Sequence, residues 1–265
     1  MKKLLLLFAV FVCAFTYAQT NLFMYDYRSV PDDQMEAFQK NEAEFWSKVA
    51  QNLHKKKQIT GWTMMSRVGG ISSDANIYFY LGIGSYENLD NLGQNYNKAY
   101  EEVMATLDAD AQKKMKERLK IERYSKMNVL LNRRSTVLEE GQEWNYLVHN
   151  YAKANNVEAF LDAQDKYFKP FFEEHIKAKT TKQVGWITAS VLNPVGSYYK
   201  VNCYTADAYQ KMSDIYNAWN SEITWPEGGM TEVGKTMDSN EFYKSVIWHK
   251  ILWLDADGKF HSAWD

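Results

Sequence analysis

The chain has 265 residues, 46% of them hydrophobic and 15% aromatic, with 31 basic residues against 33 acidic ones. A balance this close to neutrality, slightly acidic, excludes the basic surface that nucleic acid requires. No phosphate-binding loop, nucleophile elbow or zinc-type Cys/His spacing occurs, so the order of elements says more here than any motif.

Lys2-Lys3, the apolar run Leu4 to Phe15 and Thr16-Tyr17-Ala18 before Gln19 have the form of a secretory signal, and residues 1–18 are expected to be removed. The apolar run is twelve residues, short of the roughly 20 that a membrane-spanning helix needs. The mature chain is therefore expected in the periplasm or outside the cell, without membrane attachment. Losing Lys2 and Lys3 leaves 29 basic residues against 33 acidic, a formal charge of −4, and leaves Cys203 as the only cysteine. A single thiol forms no intramolecular bridge, so stability has to come from packed apolar surface.

Leu22-Phe23-Met24-Tyr25-Asp26-Tyr27 is apolar on both alternating faces, as in a central strand covered on two sides. Pro31-Asp32-Asp33 starts a helix, with Asp33 and Glu36 spaced as a capping box and Met35, Phe38, Phe45, Val49 and Leu53 on one stripe. Gln58 to Ser66, containing Gly61-Trp62, is the second strand, and residues 69–74 form a loop before a third strand at Asn76 to Ile83. Helices follow over Tyr86 to Leu107 and Asp108 to Arg123, then a fourth strand from Tyr124 to Leu131.

Glu140-Gly141-Gln142 reads as a tight turn carrying the chain straight into a new first strand, Trp144 to Tyr151. The pattern then returns. Asn155 and Glu158 follow Asp33 and Glu36 at an offset of 122, and Gly185-Trp186 follows Gly61-Trp62 at 124. The stripe Val157, Phe160, Leu161, Gln164, Tyr167, Phe168, Phe171, Phe172 and His175 is interrupted by Pro170, which is expected to kink this helix. Asn193-Pro194-Val195-Gly196 turns a hairpin whose return strand is read as Ser197 to Tyr204, with a helix over Ala206 to Glu222. Thr224 to Met230 is a long Gly- and Pro-bearing loop, and Tyr243 to Leu254 the last strand before a turn at Asp257-Gly258. The fold class is thus α+β, with a signal at 1–18 and two tandem βαββαβ, ferredoxin-like repeats at 19–140 and 141–265, the second with a terminal hairpin.

Two such units with sheets apolar on both faces resemble the dimeric α/β-barrel superfamily, which includes antibiotic-biosynthesis-type monooxygenases, haem-degrading and haem-binding enzymes and stress-responsive barrel proteins. The resemblance implies an intramolecular barrel with a pocket between sheet and helices, and admits a homo-oligomer. Haem-degrading relatives share an Asn on the first strand, which Asn150 matches. Their third-strand Trp and second-helix His have no counterpart, since the third strands offer Tyr78 to Tyr80 and Tyr198-Tyr199 and neither second helix carries a histidine.

Four of the five histidines, His149, His175, His249 and His261, fall in the second repeat, and His54 sits beside Lys55-Lys56-Lys57 at a helix end. His149 and His249 lie on strands expected to be neighbours, which would let them share a pocket with Asn150 and Tyr151 under a bent helix carrying Tyr167, Phe171 and His175. Converging imidazoles would suit haem or a transition metal; otherwise they are structural, and the composition by itself assigns no metal. Three readings follow. The first is a secreted binding module for an apolar or aromatic small molecule, the second a haem-using or cofactor-free monooxygenase-like oxidoreductase, and the third an assembly protein with exposed aromatic faces.

Overall fold

The computed structural model describes residues 21–70, 74–121, 124–139, 141–219 and 223–264; the expected leader at 1–18, Glu140 of the expected turn and residues 71–73 of the first hairpin loop lie outside them. Eight strands close into one antiparallel barrel: β1 (Leu22–Ser29), β2 (Gly61–Arg67), β3 (Ile77–Gly84), β4 (Tyr124–Leu138), β5 (Tyr146–Ala152), β6 (Gln183–Asn193), β7 (Cys203–Tyr209) and β8 (Lys244–Leu254). Their order is β2-β3-β1-β4-β6-β7-β5-β8, with β8 returning to β2. A short β9 (Phe260–Ser262) extends the edge of β8 beyond β5. Closure leaves none of the eight as an open edge, and helices cover the outside, which is why the strands read as apolar on both faces.

Two long strands make the seams. β4 lies along β1 with its first part and along β6 from Leu130 to Leu138. β8 lies along β5 up to His249 and along β2 from Trp248 to Trp253. The fourth strand therefore runs well past Leu131, because its second half is needed to join the other sheet. Gly141, at φ 75°, turns the chain as expected, but β4 and β5 do not pair: β6 and β7 stand between them.

The first helical layer is α1 (Met35–Asn41), a π-helical turn (Glu42–Trp46) and α2 (Ser47–Lys55), followed by α3 (Tyr86–Asp90), α4 (Leu92–Met104) and α5 (Ala109–Arg118). Phe38, Phe45, Val49 and Leu53 are buried against Trp62, Met64 and Phe79 of the sheet, as their spacing implies. The expected Asp33 cap is not made: a 3-10 turn at Asp32–Gln34 opens the segment with no side-chain cap. In the second layer α6 (Val157–Ala163) is capped by Asn156, whose Oδ1 accepts from Ala159 N at 3.1 Å, so the capping residue is Asn156 and not Asn155. A second π-helical turn (Gln164–Phe168) leads into α7 (Lys169–Ala178). Pro170 stands in the first turn after the π segment of a continuous helical run, and the first layer has the same π turn without proline. The distortion follows from the extra residue in the turn, which aims a buried Glu42 in one layer and a buried Gln164 in the other.

The helix expected from Ala206 to Glu222 is the largest departure. Residues 203–209 are β7, residues 197–202 precede it as loop, and only Met212–Tyr216 (α8) is helical before the undescribed 220–222. Ala206 and Ala208 favour helix, yet they face the barrel interior, where small side chains leave room for the rings opposite. Tertiary fit overrides the local preference. The short α9 (Gly229–Lys235) follows the Trp225-Pro226 loop.

Candidate functional site

On the outside of β5, β7 and β6, under the second π turn, α7 and α9, lies a cavity of about 300 Å³. Its walls are aromatic, with Phe168 and Phe172 from the helices, Trp186 from β6, and Trp219 and Trp225 from the connecting loops. Phe171 packs against both loop indoles, 5.1 Å from Trp219 and 5.0 Å from Trp225, which are themselves 5.0 Å apart, and so anchors that wall.

Strand alternation places one carboxylate on the cavity floor. Asp207 Oδ2 accepts from Asn150 Nδ2 at 2.8 Å, and Oδ1 accepts from Gln183 Nε2 at 2.9 Å. Each amide is held in that orientation from behind: Asn150 Oδ1 accepts from Ser245 Oγ at 2.6 Å, and Gln183 Oε1 from Tyr209 Oη at 3.4 Å. The acid keeps some accessible surface because it lines the cavity, and it has no ion-pair partner among the described residues. Burial pushes its carboxyl up to about 6 while the two amide donors pull it back in part. It is ionised at neutral pH and a far better proton acceptor than an ordinary aspartate.

A second cavity, about 380 Å³, occupies the matching place in the first layer, with different chemistry. Trp62 is opposite Leu81 there, as Trp186 is opposite Asp207, so an apolar residue stands where the second layer has its acid. The local carboxylate, Asp26, is paired with Arg28 through contacts of 2.5 and 2.6 Å, and Arg28 also lies over Phe79 and 3.8 Å from Glu42. Asp26 thus has a cation directly against it. Asp207, held only by neutral amides, is the group suited to take a proton.

The residues singled out from the sequence do not converge. His149 is fully buried inside the barrel, its Nε2 3.2 Å from Tyr78 Oη, and desolvation drives it down to about 3, so it stays neutral. His249 is on the opposite face, stacked 4.8 Å from Tyr146, which corrects the expectation of a shared pocket. Tyr146 pairs with His249 and His149 with Val246, so the register puts the two imidazoles in opposite alternation. Tyr151 points into the barrel, its Oη 3.2 Å from Tyr27 Oη. Tyr167 supports the loop at Gly229, and His175 Nδ1 bonds Thr180 Oγ1 at 2.7 Å at the end of α7. Of the seven, Asn150 alone lines the cavity around Asp207, and Phe171 backs its wall. Asp207, Gln183 and Thr205 were not among the expected site residues, and Gln164 was expected only as part of the helix stripe. The available signal was an acid at the centre of Tyr204-Thr205-Ala206-Asp207-Ala208-Tyr209, which a helical reading hides on a wet face.

Haem does not fit this cavity by its donors. Its described lining residues include no histidine or cysteine; Tyr209 is committed to Gln183, and Met230 is 65% exposed. Cys203 is buried and its thiol is pushed up to about 12 by burial, which leaves it inert. No cluster of three or more His, Cys, Asp or Glu side chains arranged for a metal occurs among the described residues, and none of their helices is long and apolar enough to cross a membrane.

No family model matches the sequence, and no curated protein matches it. Solved structures do. An anthrone oxidase-like protein aligns over 94% of this chain and 95% of its own, at TM-score 0.54 and 9% identity. A putative monooxygenase from Lactobacillus acidophilus NCFM aligns over 92% and 97%, at TM-score 0.51 and 7% identity. A heme-binding protein from Thermus thermophilus also aligns, over 91% and 93%, but at TM-score 0.43 and 9% identity. Eight antiparallel strands closed by β8 on β2, with helices outside, make a mixed α+β fold with a closed antiparallel barrel, a fold shared with the first two of these structures.

Proposed function

We propose that the chain binds a mainly apolar, aromatic small molecule between the second sheet and its helices, and that Asp207 accepts a proton from it. The observation that carries this reading is an amide-held carboxylate raised to about 6 on the floor of a cavity walled by Trp186, Trp219 and Trp225. Aromatic walls bind a flat ring, and the base lies where a weakly acidic C–H or O–H of that ring would sit. Loss of that proton leaves the electron pair delocalised in the ring. In a cofactor-free oxidation the pair passes to dioxygen, the reading favoured by the names of the anthrone oxidase-like and monooxygenase structures.

The test uses anthrone with dioxygen, whose balanced products are anthraquinone and water. Tryptophan quenching reports binding, and absorbance with oxygen uptake reports turnover. The oxidoreductase reading expects turnover that rises as pH passes about 6 and is lost in Asp207→Asn while binding persists. Binding without turnover leaves the binding-module reading, and neither binding nor turnover of anthrone or related tricyclic phenols sinks both.

We also infer that residues 19–140 and 141–265 are duplicated units, supported by matching strand order, matching π turns and the Gly-Trp offset of 124. Relatives whose halves differ in strand order would count against this. Export after removal of residues 1–18 rests on the leader composition, and N-terminal sequencing of the mature protein that began elsewhere than Gln19 would refute it.

A further inference from the structure

The barrel interior is a separate compartment from the cavity around Asp207. Its middle is plugged by Tyr25, Tyr27, Tyr78, His149, Tyr151 and Trp248. Beyond the plug, towards the end of the barrel where Leu138 is exposed, is a space of about 210 Å³ whose lining is largely apolar. Into it projects Arg133, on the inward face of β4.

Arg133 is an unusual occupant. One terminal nitrogen donates to Tyr80 Oη at 2.9 Å, and the guanidinium lies 5.4 Å from the Phe23 ring. Its Nε is buried without a hydrogen-bond partner, and no carboxylate of the described residues forms an ion pair with it. A half-buried guanidinium whose Nε is fully buried beside an apolar space lacks the counter-charge that such a cation normally has. The neighbouring arginine, Arg134, shows the contrast: it faces outward and has three carboxylates, Glu158, Asp162 and Asp165. A second cation stands behind the wall of the same space, where Lys250, 7% exposed, has its Nζ 4.4 Å from the Trp144 ring and 4.2 Å from the Trp253 ring. The compartment is thus aromatic and holds, in Arg133, a guanidinium with no carboxylate paired to it among the described residues, while Lys250 has Glu143 near it.

We infer that this end of the barrel is a second ligand site, for a small carboxylate with a flat or acyl apolar body. The carboxylate pairs with Arg133, whose planar fork suits two parallel N–H···O bonds, and the body lies between Trp144, Leu147 and the methyl groups of Ala206 and Ala208. The small residues on β7 are what leave that body room. Entry is at Leu138 and Trp144, on the inside of the barrel, so the site does not share a floor with Asp207, which is on the other face of the same strand.

The full mature chain is titrated by calorimetry with 2-naphthoate and, separately, with its neutral isostere 2-acetylnaphthalene. The acid is expected to bind at least tenfold more tightly, and Arg133→Met to abolish that preference while Arg133→Lys keeps part of it. Equal affinity of the wild type for acid and ketone, or no binding of either, overturns the inference without any variant. Acid binding that ignores Arg133→Met and tightens in Asp207→Asn would put the carboxylate in the outer cavity and also overturn it. If Arg133→Met does not fold, Ala208→Phe, which fills the compartment and leaves the guanidinium in place, is expected to eliminate naphthoate binding. Retention of naphthoate binding in that variant counts against the site. Failure of anthrone to bind near Asp207 leaves this outcome untouched, because the two probes report different compartments.

Discussion

Replacing Asp207 by Asn isolates the charge, since a neutral carboxyl and an amide have nearly the same shape and each keeps one strong acceptor for the amide donors of Asn150 and Gln183, where the carboxylate has two. The carboxyl titrates near 6 in the folded chain against 3.8 as its ordinary value. The folded state thus binds this proton more tightly than the unfolded state, and the stability it lends is complete below 3.8 and lost as pH rises through 6. At about 1.4 kcal/mol per unit, the ionised acid costs the wild type about 3 kcal/mol above pH 6. Asp207→Asn should match the wild type near pH 4 and exceed it by about 3 kcal/mol at pH 7.5. His149 works in the opposite direction, because its value falls from 6.5 to about 3: its contribution is intact above 6.5 and is lost progressively as pH falls towards 3. Between 3.8 and 6 the two slopes cancel in the wild type, so the variant should reveal the histidine alone, losing about 1.4 kcal/mol per unit of acidification. Urea unfolding at four pH values from 4.5 to 7.5 measures both. A difference between variant and wild type that does not change with pH, or a variant less stable at pH 7.5, would refute the account of Asp207 as a buried, strained base.

His149→Leu removes the group that must stay neutral, and acid unfolding followed by circular dichroism should move to lower pH, although the Tyr78 hydroxyl loses its partner at a cost of about 1 kcal/mol at pH 7. Trp186→Ala should lower stability by roughly 3 to 5 kcal/mol by emptying a 2%-exposed site in the second core, and should also abolish aromatic-probe binding beside Asp207; an unchanged melting temperature contradicts this. Gly82→Ala would drive a Cβ into Thr60 Oγ1 and to 3.0 Å from Gly61 N, so chemical denaturation should show a loss of about 1–3 kcal/mol, only partly recovered by adding Thr60→Ala because the backbone contact remains. Pro170→Ala should leave the melting temperature and near-ultraviolet dichroism nearly unchanged, since the π turn at Glu42–Trp46 forms without proline; a large shift would return the bend to Pro170.

Several features of this fold were written locally. The stripe Phe38, Phe45, Val49, Leu53, the Gly61-Trp62 and Gly185-Trp186 strands and the two-sided apolar β1 each follow from periodicity within one element, and each stands in the barrel as its pattern implies. The candidate site was legible only in its neighbourhood, outside the second sheet and beneath its helix. Its base was hidden, because Ala206-Asp207-Ala208 suits a helix better than a strand until Tyr25 and Tyr78 across the lumen demand small inward residues on β7. The histidines failed for a related reason. A strand's own sequence says which residues alternate, but which of its two faces is the interior depends on its neighbour's register, and pairing Tyr146 with His249 sets His149 inside and His249 outside. The same pairing of strands distant in sequence decided that β4 extends across the seam to β6, that Arg133 ends in the lumen, and that Asp207 meets two amides from β5 and β6. Local spacing determined the elements and their apolar faces. Barrel closure, which fixes register between residues up to about two hundred positions apart, decided which polar groups those faces enclose.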